Sequence, residues 1–392
     1  MKYRYGVLGA GRQGCAAAYD LGRFGEAKAV FIGDRDAEAA ERAAARVNRL
    51  LGRQVASARA VDAADAAQVR TFLQGIDSLV SAVPYYYNLD IAREAIQART
   101  CMCDLGGNTD LVLKELELDG EAEQAGISIV PDCGQVPGMG TSLAVYAMSL
   151  LDRADEVYMW DGGLMQDPRP PWEYVLTFNV AGLTNEYFGK AIFIREGEVV
   201  EVPTFTEYEE VDFPPLGTLE AFTTAGGTST APYTFRGKLR TYQNKTLRYR
   251  GHYQRFKTLL ETGLLDEEPV EVDGTRVVPR QLLHILLDAI LRPQPDDRDL
   301  VAIRLRCTGE KEGRPAEVGL ELLDYYDETT GFTAMERTTG WHAAIMAMAA
   351  ARGVTPRGAK PVELALSGPY FAEEMRRRGF RLREWLTIHR HW

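Results

Sequence analysis

The sequence predicts an α/β fold, a doubly wound parallel sheet with a second, α+β domain inserted into it. Three observations carry that prediction. Over residues 1–150, apolar runs of strand length alternate with longer amphipathic stretches, the pattern of βαβ units. A glycine-rich turn joins the first strand to the first helix. From about residue 155 the pattern changes to short β-branched and aromatic segments divided by Gly, Pro and acidic turns.

In order, residues 3–8 are the first predicted strand and 12–24 the first helix. Residues 28–33 (KAVFIG) make a second strand, and an Ala/Glu/Arg-rich helix follows over 37–51. Further strands are predicted at 77–83, 99–104 and 126–131, with helices at 88–98 and 111–125. Pro137-Gly138 opens another helix to about residue 151, the proline standing where a missing N–H costs nothing. In the second unit, strands of a mainly antiparallel sheet are predicted at 156–160, 173–180, 191–195, 198–202, 218–225, 300–308 and 316–325. Helices are predicted at 278–292, 340–352 and 370–379. No internal repeat or low-complexity linker separates the halves. The reading is therefore three parts: a dinucleotide-binding domain at 1–150, an α+β insertion at 151–335, and a C-terminal segment, 336–392, that returns to the first domain.

Composition narrows the class. The chain has 392 residues, 45% hydrophobic and 26% charged, which is ordinary for a globular protein. Its formal charge of −11 argues against a nucleic-acid partner. No apolar run reaches the roughly 18 residues of a membrane span, and the N-terminus lacks a signal-peptide run. Five scattered cysteines, an odd number, suit a reducing interior, so the expected location is the cytoplasm. Cys101 and Cys103 lie on one strand and Cys133 near the next, but no CxxC or HxxxH spacing accompanies them, and no metal site is expected.

Gly9-Ala10-Gly11-Arg12-Gln13-Gly14 is a G-x-G-x-x-G between strand and helix, the Rossmann-type fingerprint. Gly9 permits the tight turn, Gly11 lets backbone approach a pyrophosphate, and Gly14 lets helix and strand pack closely. The helix N-terminus offers free N–H groups to phosphate. The next strand ends in Asp34, a carboxylate placed to accept the ribose hydroxyls and to repel a 2′-phosphate, so NAD is expected rather than NADP. Arg35 beside it is either a partner for a 2′-phosphate or a solvated residue after a turn. The bland alternative for the whole loop is a tight turn that binds nothing.

In such sheets the ligand crevice lies beyond the C-terminal strand ends. Those ends read Val83-Pro84-Tyr85-Tyr86-Tyr87-Asn88, Asp104-Leu105-Gly106-Gly107-Asn108 and Pro131-Asp132-Cys133-Gly134-Gln135-Val136-Pro137-Gly138. Turn formation explains any one of these better than it explains all three. Val83, Pro84, Gly106, Gly107 and Gly134 are assigned to the cofactor, and Tyr86 and Asn108 to substrate.

The strings GAGRQG, SAVPYYYN, CDLGGNTD, PDCGQVPGM, GGTST, KTLRYRGH, RTTGWHAAI and PYFAEEMRRRGF together resemble the saccharopine dehydrogenase superfamily, and within it the NAD-dependent lysine 6-dehydrogenases. The resemblance spans nearly the whole chain. It implies a Rossmann domain interrupted by an α+β substrate and dimerisation domain, a homodimer, and oxidative deamination of L-lysine or a related diamino acid at the ε-amino group. The products would be ammonia, NADH and 2-aminoadipate 6-semialdehyde, which cyclises to piperideine-6-carboxylate. A carboxylate that saccharopine-forming members place before the proline is absent from Gln135-Val136-Pro137-Gly138.

That chemistry needs a base, a cation for the α-carboxylate and an acceptor for the α-ammonium. Asp104 and Asp132 can bind an ammonium or move a proton, or can be turn and capping residues. Arg248 is assigned as the carboxylate clamp. His252 or Lys245 is a base or a surface residue, both placed with Arg248 on a loop or short helix. Thr228 and Ser229 hydrogen-bond substrate or cap the following turn. Two other readings stand beside this one. The first is a reductase joining an aldehyde to an amine, as in saccharopine or carboxynorspermidine formation, which calls for several clamping arginines. The second is a non-catalytic NAD-binding regulator.

Overall fold

The computed structural model describes residues 1–389. Its first sheet is parallel and is built from β1 (Tyr3–Leu8), β2 (Ala27–Asp34), β3 (Ala56–Ala60), β4 (Ser78–Ser81), β5 (Cys101–Asp104) and β6 (Ser128–Val130). The spatial order is β3-β2-β1-β4-β5-β6, with Gly358–Ala359 pairing beside β6. The order reverses between β1 and β4, which opens a crevice at their C-terminal ends. The predicted doubly wound sheet is therefore present. Its strands are apolar because helices cover both faces: Tyr5, Val7, Val30, Ile32, Val80 and Ile129 are all fully buried.

The second sheet is mixed. Its path runs β10 (Glu209–Phe213), β11 (Gly217–Phe222), β12 (Thr241–Arg248), β7 (Arg153–Met165), β15 (Asp299–Lys311), β16 (Arg314–Tyr325) and Leu382–Ile388. Off that path, β8 (Lys190–Arg195) pairs with β12 and with β9 (Glu198–Pro203). A separate hairpin joins β13 (Val270–Val272) to β14 (Thr275–Val277). Most pairs are antiparallel, as predicted, but β12 runs parallel to β7. The C-terminal segment is shared between the sheets, since 358–359 joins the first and Leu382–Ile388 the second.

Several local readings need correction. Residues 173–180 are not a strand; they run as irregular backbone, bending at 177–178, into the helix Val180–Glu186. Tyr174 and Leu176 are apolar because they fill a core with Phe256, Leu283 and Leu287, not because they pair in a sheet. KTLRYRGH is not a loop or short helix. Residues 245–248 belong to β12, which is buried along its whole length, and only at His252 does a helix begin. The helix predicted at 111–125 is two, Thr109–Leu116 and Asp119–Ala125. No helix among the described residues is long and apolar enough to cross a membrane.

Candidate active site

The glycine loop has the geometry of a dinucleotide cradle. Gly9 has φ +98°, and a Cβ there would lie 2.5 Å from the Ala82 carbonyl oxygen at the end of β4. A Cβ on Gly14 would lie 1.9 Å from the Gly9 carbonyl oxygen. A Cβ on Gly11, by contrast, would meet nothing within 4 Å, so this position faces open space. The helix Arg12–Phe24 that follows has no side-chain cap, leaving its first-turn N–H groups available to an anion. Asp34 is half-buried and holds the loop: its Oδ2 accepts the Ala10 N–H at 2.7 Å and its Oδ1 the Asp36 N–H at 3.0 Å. These residues fit a nicotinamide dinucleotide.

Other residues assigned to the cofactor divide. Val83 and Pro84 stand at the β4 end of the same crevice. Arg12 is paired with the C-terminal segment, its Nε 3.1 Å from Glu336 Oε1, while Gln13 is half-buried against it and Arg35 is exposed. Gly106, at φ +70°, is glycine because a Cβ there would lie 1.9 Å from Asp132 Oδ1; Gly107, at φ +123°, admits the Tyr85 ring. Gly134 lies between the Leu105 and Pro137 carbonyl oxygens.

Beyond the ends of β5 and β6 lies a cleft of about 720 Å³, within the usual size of a small-molecule site. Its inner wall includes Asp132, Ser229, Thr228, Gly107 and Asn108, all anticipated from sequence, together with Tyr85. Its far wall holds Asp161 on β7, Asn244 and Thr246 on β12, and Glu186 on the helix Val180–Glu186. Sequence reasoning missed Asp161, Asn244 and Glu186. One signal was legible: Asp161 interrupts an apolar strand just before Gly162-Gly163, and a Cβ on Gly162 would strike the Leu247 carbonyl oxygen at 2.4 Å. Glycine at 162 lets β7 and β12 approach closely.

The cleft is strongly acidic. Asp132 is 2% exposed and its Oδ2 accepts a hydrogen bond from Ser229 Oγ. Desolvation, opposed by the Ser229 hydroxyl and reinforced by Asp104, pushes its carboxyl up to about 7. Asp161 accepts from Asn244 Nδ2 at 2.7 Å and Gln135 Nε2 at 3.2 Å. Burial raises it to about 6, those amides and Arg248 holding it down. Burial raises Glu186 as well, with Arg248 opposing, though a third of its side chain still reaches solvent. The lining cations are already engaged: Lys190 with Glu201, and Arg280 with Glu267 at 2.7 Å.

Five predicted catalytic or substrate residues lie outside the cleft. Arg248 is not a free clamp. It is 3% exposed, donates to Tyr187 Oη at 2.9 Å and to its neighbour's carbonyl at 3.0 Å, and sits 3.9 Å from Glu186. Lys245 projects from the face of β12 opposite Asn244 and Thr246, where Nζ donates to the Glu207 carbonyl at 2.7 Å and Glu209 at 3.0 Å. His252 is buried against Phe256, its Nε2 2.8 Å from Tyr187 Oη, and burial together with Arg248 and Arg255 holds it well below the usual histidine value. Asp104 is fully buried behind Asp132, so it does not reach substrate. Tyr86 is 56% exposed and is not among the cleft residues; Tyr85 takes that place. Asn108 caps the helix Thr109–Leu116, accepting from Leu111 N–H at 3.0 Å, and Thr228 Oγ1 donates to the Ile192 carbonyl at 2.6 Å. Both still line the cleft.

Comparison with known proteins agrees with this architecture. Residues 6–130 match the saccharopine dehydrogenase NADP binding domain, and residues 134–380 the saccharopine dehydrogenase C-terminal domain. Carboxynorspermidine synthase of Vibrio cholerae is 24% identical over 296 residues, covering 71% of this chain and 70% of that protein. The mitochondrial alpha-aminoadipic semialdehyde synthase of Mus musculus is 24% identical over 275 residues, 66% of this chain but 29% of its own length. Apo saccharopine dehydrogenase (L-Glu forming) from Saccharomyces cerevisiae shares the fold at a TM-score of 0.78 and 17% identity, covering 98% of this chain and 100% of that one. Homospermidine synthase from Legionella pneumophila, solved in complex with NAD, shares it at a TM-score of 0.67 and 12% identity, covering 99% and 92%. A glycine cradle at a Rossmann switch point, an adjoining cleft of buried carboxylates and matches over both domains lead to one assignment: the chain belongs to the saccharopine dehydrogenase family of NAD(P)-dependent oxidoreductases.

Proposed function

We propose that this protein oxidises the ε-amine of L-lysine with NAD, releasing ammonia and the corresponding semialdehyde. The observation that carries the reading is the carboxyl lining of the cleft, whose groups ionise at about 6, 7 and 8. Asp132, Asp161 and Glu186 face it, and its two lining cations are already paired. An ammonium-bearing substrate fits such a wall, whereas a multiply carboxylated adduct such as saccharopine would meet like charge. Asp34, whose carboxylate would repel a 2′-phosphate, supports NAD over NADP.

The bound dinucleotide supplies the hydride acceptor, held by the Gly9–Gly14 turn, Asp34 and the ends of β4 and β5. This chain's side chains do the rest. Asp161, fixed by the Gln135 and Asn244 amides, and Glu186 receive the cationic substrate. Asp132, poised at about 7, takes the proton that the ε-ammonium must lose before hydride can leave carbon. Ser229 fixes that carboxylate's orientation. Water then adds to the imine, giving aldehyde and ammonium ion. Overall, one ammonium substrate, NAD⁺ and water give aldehyde, ammonium ion, NADH and one proton. Lys190 and Arg280 are the cations on the cleft wall, and either meets the α-carboxylate only by exchanging it for Glu201 or Glu267.

The same acidic wall, and the likeness to carboxynorspermidine synthase, also favour a second reading: reductive joining of an aldehyde to a diamine. A panel separates the two. Purified protein is mixed with NAD and lysine, ornithine or saccharopine, and with NADH plus an aldehyde and a diamine. Lysine-dependent reduction with ammonia release supports the first reading. Oxidation of saccharopine, or coupling of aldehyde and diamine without lysine oxidation, refutes it.

A further inference from the structure

Behind Asp132 lies a pair of acidic groups that the reaction above does not use. Asp104 ends β5 and Glu115 projects from the helix Thr109–Leu116; they are 0% and 1% exposed. Asp104 Oδ1 is occupied, accepting the Gly106 N–H at 2.7 Å and the Asp132 N–H at 3.3 Å. Asp104 Oδ2 and Glu115 Oε2 are both buried without a partner. Two ionised carboxylates side by side in a dry interior repel strongly, and two un-ionised ones would waste the backbone N–H donors aimed at Asp104. One proton shared between the two resolves both problems.

We propose that Glu115 carries that proton and donates it to Asp104, forming an acid–carboxylate pair whose single negative charge lies behind Asp132 and strengthens it as a base. Glu115 is thus a positioning residue, acting on substrate only through Asp104 and Asp132. The inference rests on the reading of Asp132 as the base. Of the other groups facing Asp132, Glu363 adds to the effect, more weakly than Asp104, and the rest do not. Ser229, on the 226–230 loop, donates a hydrogen bond and weakens the base. Glu363, on the helix Val362–Ala365, is held by the Thr230 and Thr234 hydroxyls at 2.9 and 2.6 Å. Burial pushes the Cys133 thiol upward, so it adds no charge there. Burial, followed by the Asp104 charge, raises Glu115; burial raises Asp104 as well, opposed by the hydrogen bond from Glu115 and by the Gly106 and Asp132 N–H groups.

The test needs no substrate. Infrared spectra of the whole protein, recorded across pH in water and in deuterium oxide, show the carbonyl band of each un-ionised carboxyl group. Subtracting the Glu115→Gln spectrum should reveal one acid band that persists at neutral and mildly alkaline pH. Subtracting Asp132→Asn gives the Asp132 titration itself. Asp104→Asn removes the negative charge and should lower the Asp132 midpoint by roughly one pH unit. Glu115→Ala, which leaves Asp104 without a donor and so favours its neutral form, should also lower it, whereas Glu115→Gln, still a donor, should restore it. Absence of the Glu115 acid band overturns the shared proton, and an Asp132 midpoint unmoved in Asp104→Asn overturns the coupling. Failure of every amine to reduce NAD would instead overturn the proposed reaction while leaving these bands to be read.

Discussion

In Asp132→Asn, the buried carboxyl becomes an amide with no charge to desolvate. The folded-state value of Asp132 is about 7 against an ordinary 3.8. Because the folded value is the higher one, the group's contribution to stability is complete below the ordinary value and is lost as pH rises through about 7. Ionising it in the folded protein therefore costs about 4 kcal/mol once the pH is well above 7, to order of magnitude. Urea unfolding of both proteins at about pH 5 and about pH 8.5 should show a pH-dependent gap, the variant gaining several kcal/mol relative to wild type at the higher pH. Glu186 and Asp161 titrate in both proteins, so the difference reads Asp132 together with its coupling to Asp104 and Glu115. In parallel, kcat should fall by about 10²–10⁴-fold, the usual contribution of a general base. A stability difference that does not change with pH, or an unimpaired kcat, would refute the assignment.

Other outcomes follow from the same geometry. Asp161→Asn should raise KM for the amine about tenfold or more, since a hydrogen bond to a charged group is lost; steady-state kinetics at saturating NAD reads this. Lys245→Met and His252→Phe should keep kcat within the wild-type order of magnitude, because neither side chain reaches the cleft. Gly14→Ala should destabilise the fold by roughly 1–3 kcal/mol through its clash with the Gly9 carbonyl, whereas Gly11→Ala should fold normally and lose dinucleotide affinity in a fluorescence titration. Asp34→Ser should weaken NAD more than NADP in the same titration.

Much of this architecture was legible because its signals are local. The β1 run, the glycine spacing and Asp34 lie within one βαβ unit, and each residue's role is fixed by its immediate neighbours. By contrast, β3 (ASARA) escaped notice because it is an edge strand with few apolar side chains to bury. The 173–180 segment misled in the opposite way, since Tyr174 and Leu176 serve a local core rather than a sheet. Asp132 could be found as a strand end, but Asp161 and Asn244 could not. They share a wall only because β7 and β12 pair in parallel, with Thr246 opposite Asp161 and Asn244 opposite Met159. Lys245 looked equivalent to its neighbours until strand alternation turned it to the opposite face. A guanidinium's bidentate fit to carboxylate favoured Arg248 as a clamp, yet it donates to Tyr187 and lies 3.9 Å from the Glu186 carboxylate.

The most direct test of the central claim uses L-lysine carrying deuterium on its ε-carbon. With NAD and the purified protein, deuterium should appear in the reduced nicotinamide, together with ammonia in equal amount. With both ε-hydrogens replaced, one deuterium stays on the aldehyde carbon; retention of both would place the oxidation elsewhere, and no reduction at all would remove lysine from the acidic cleft.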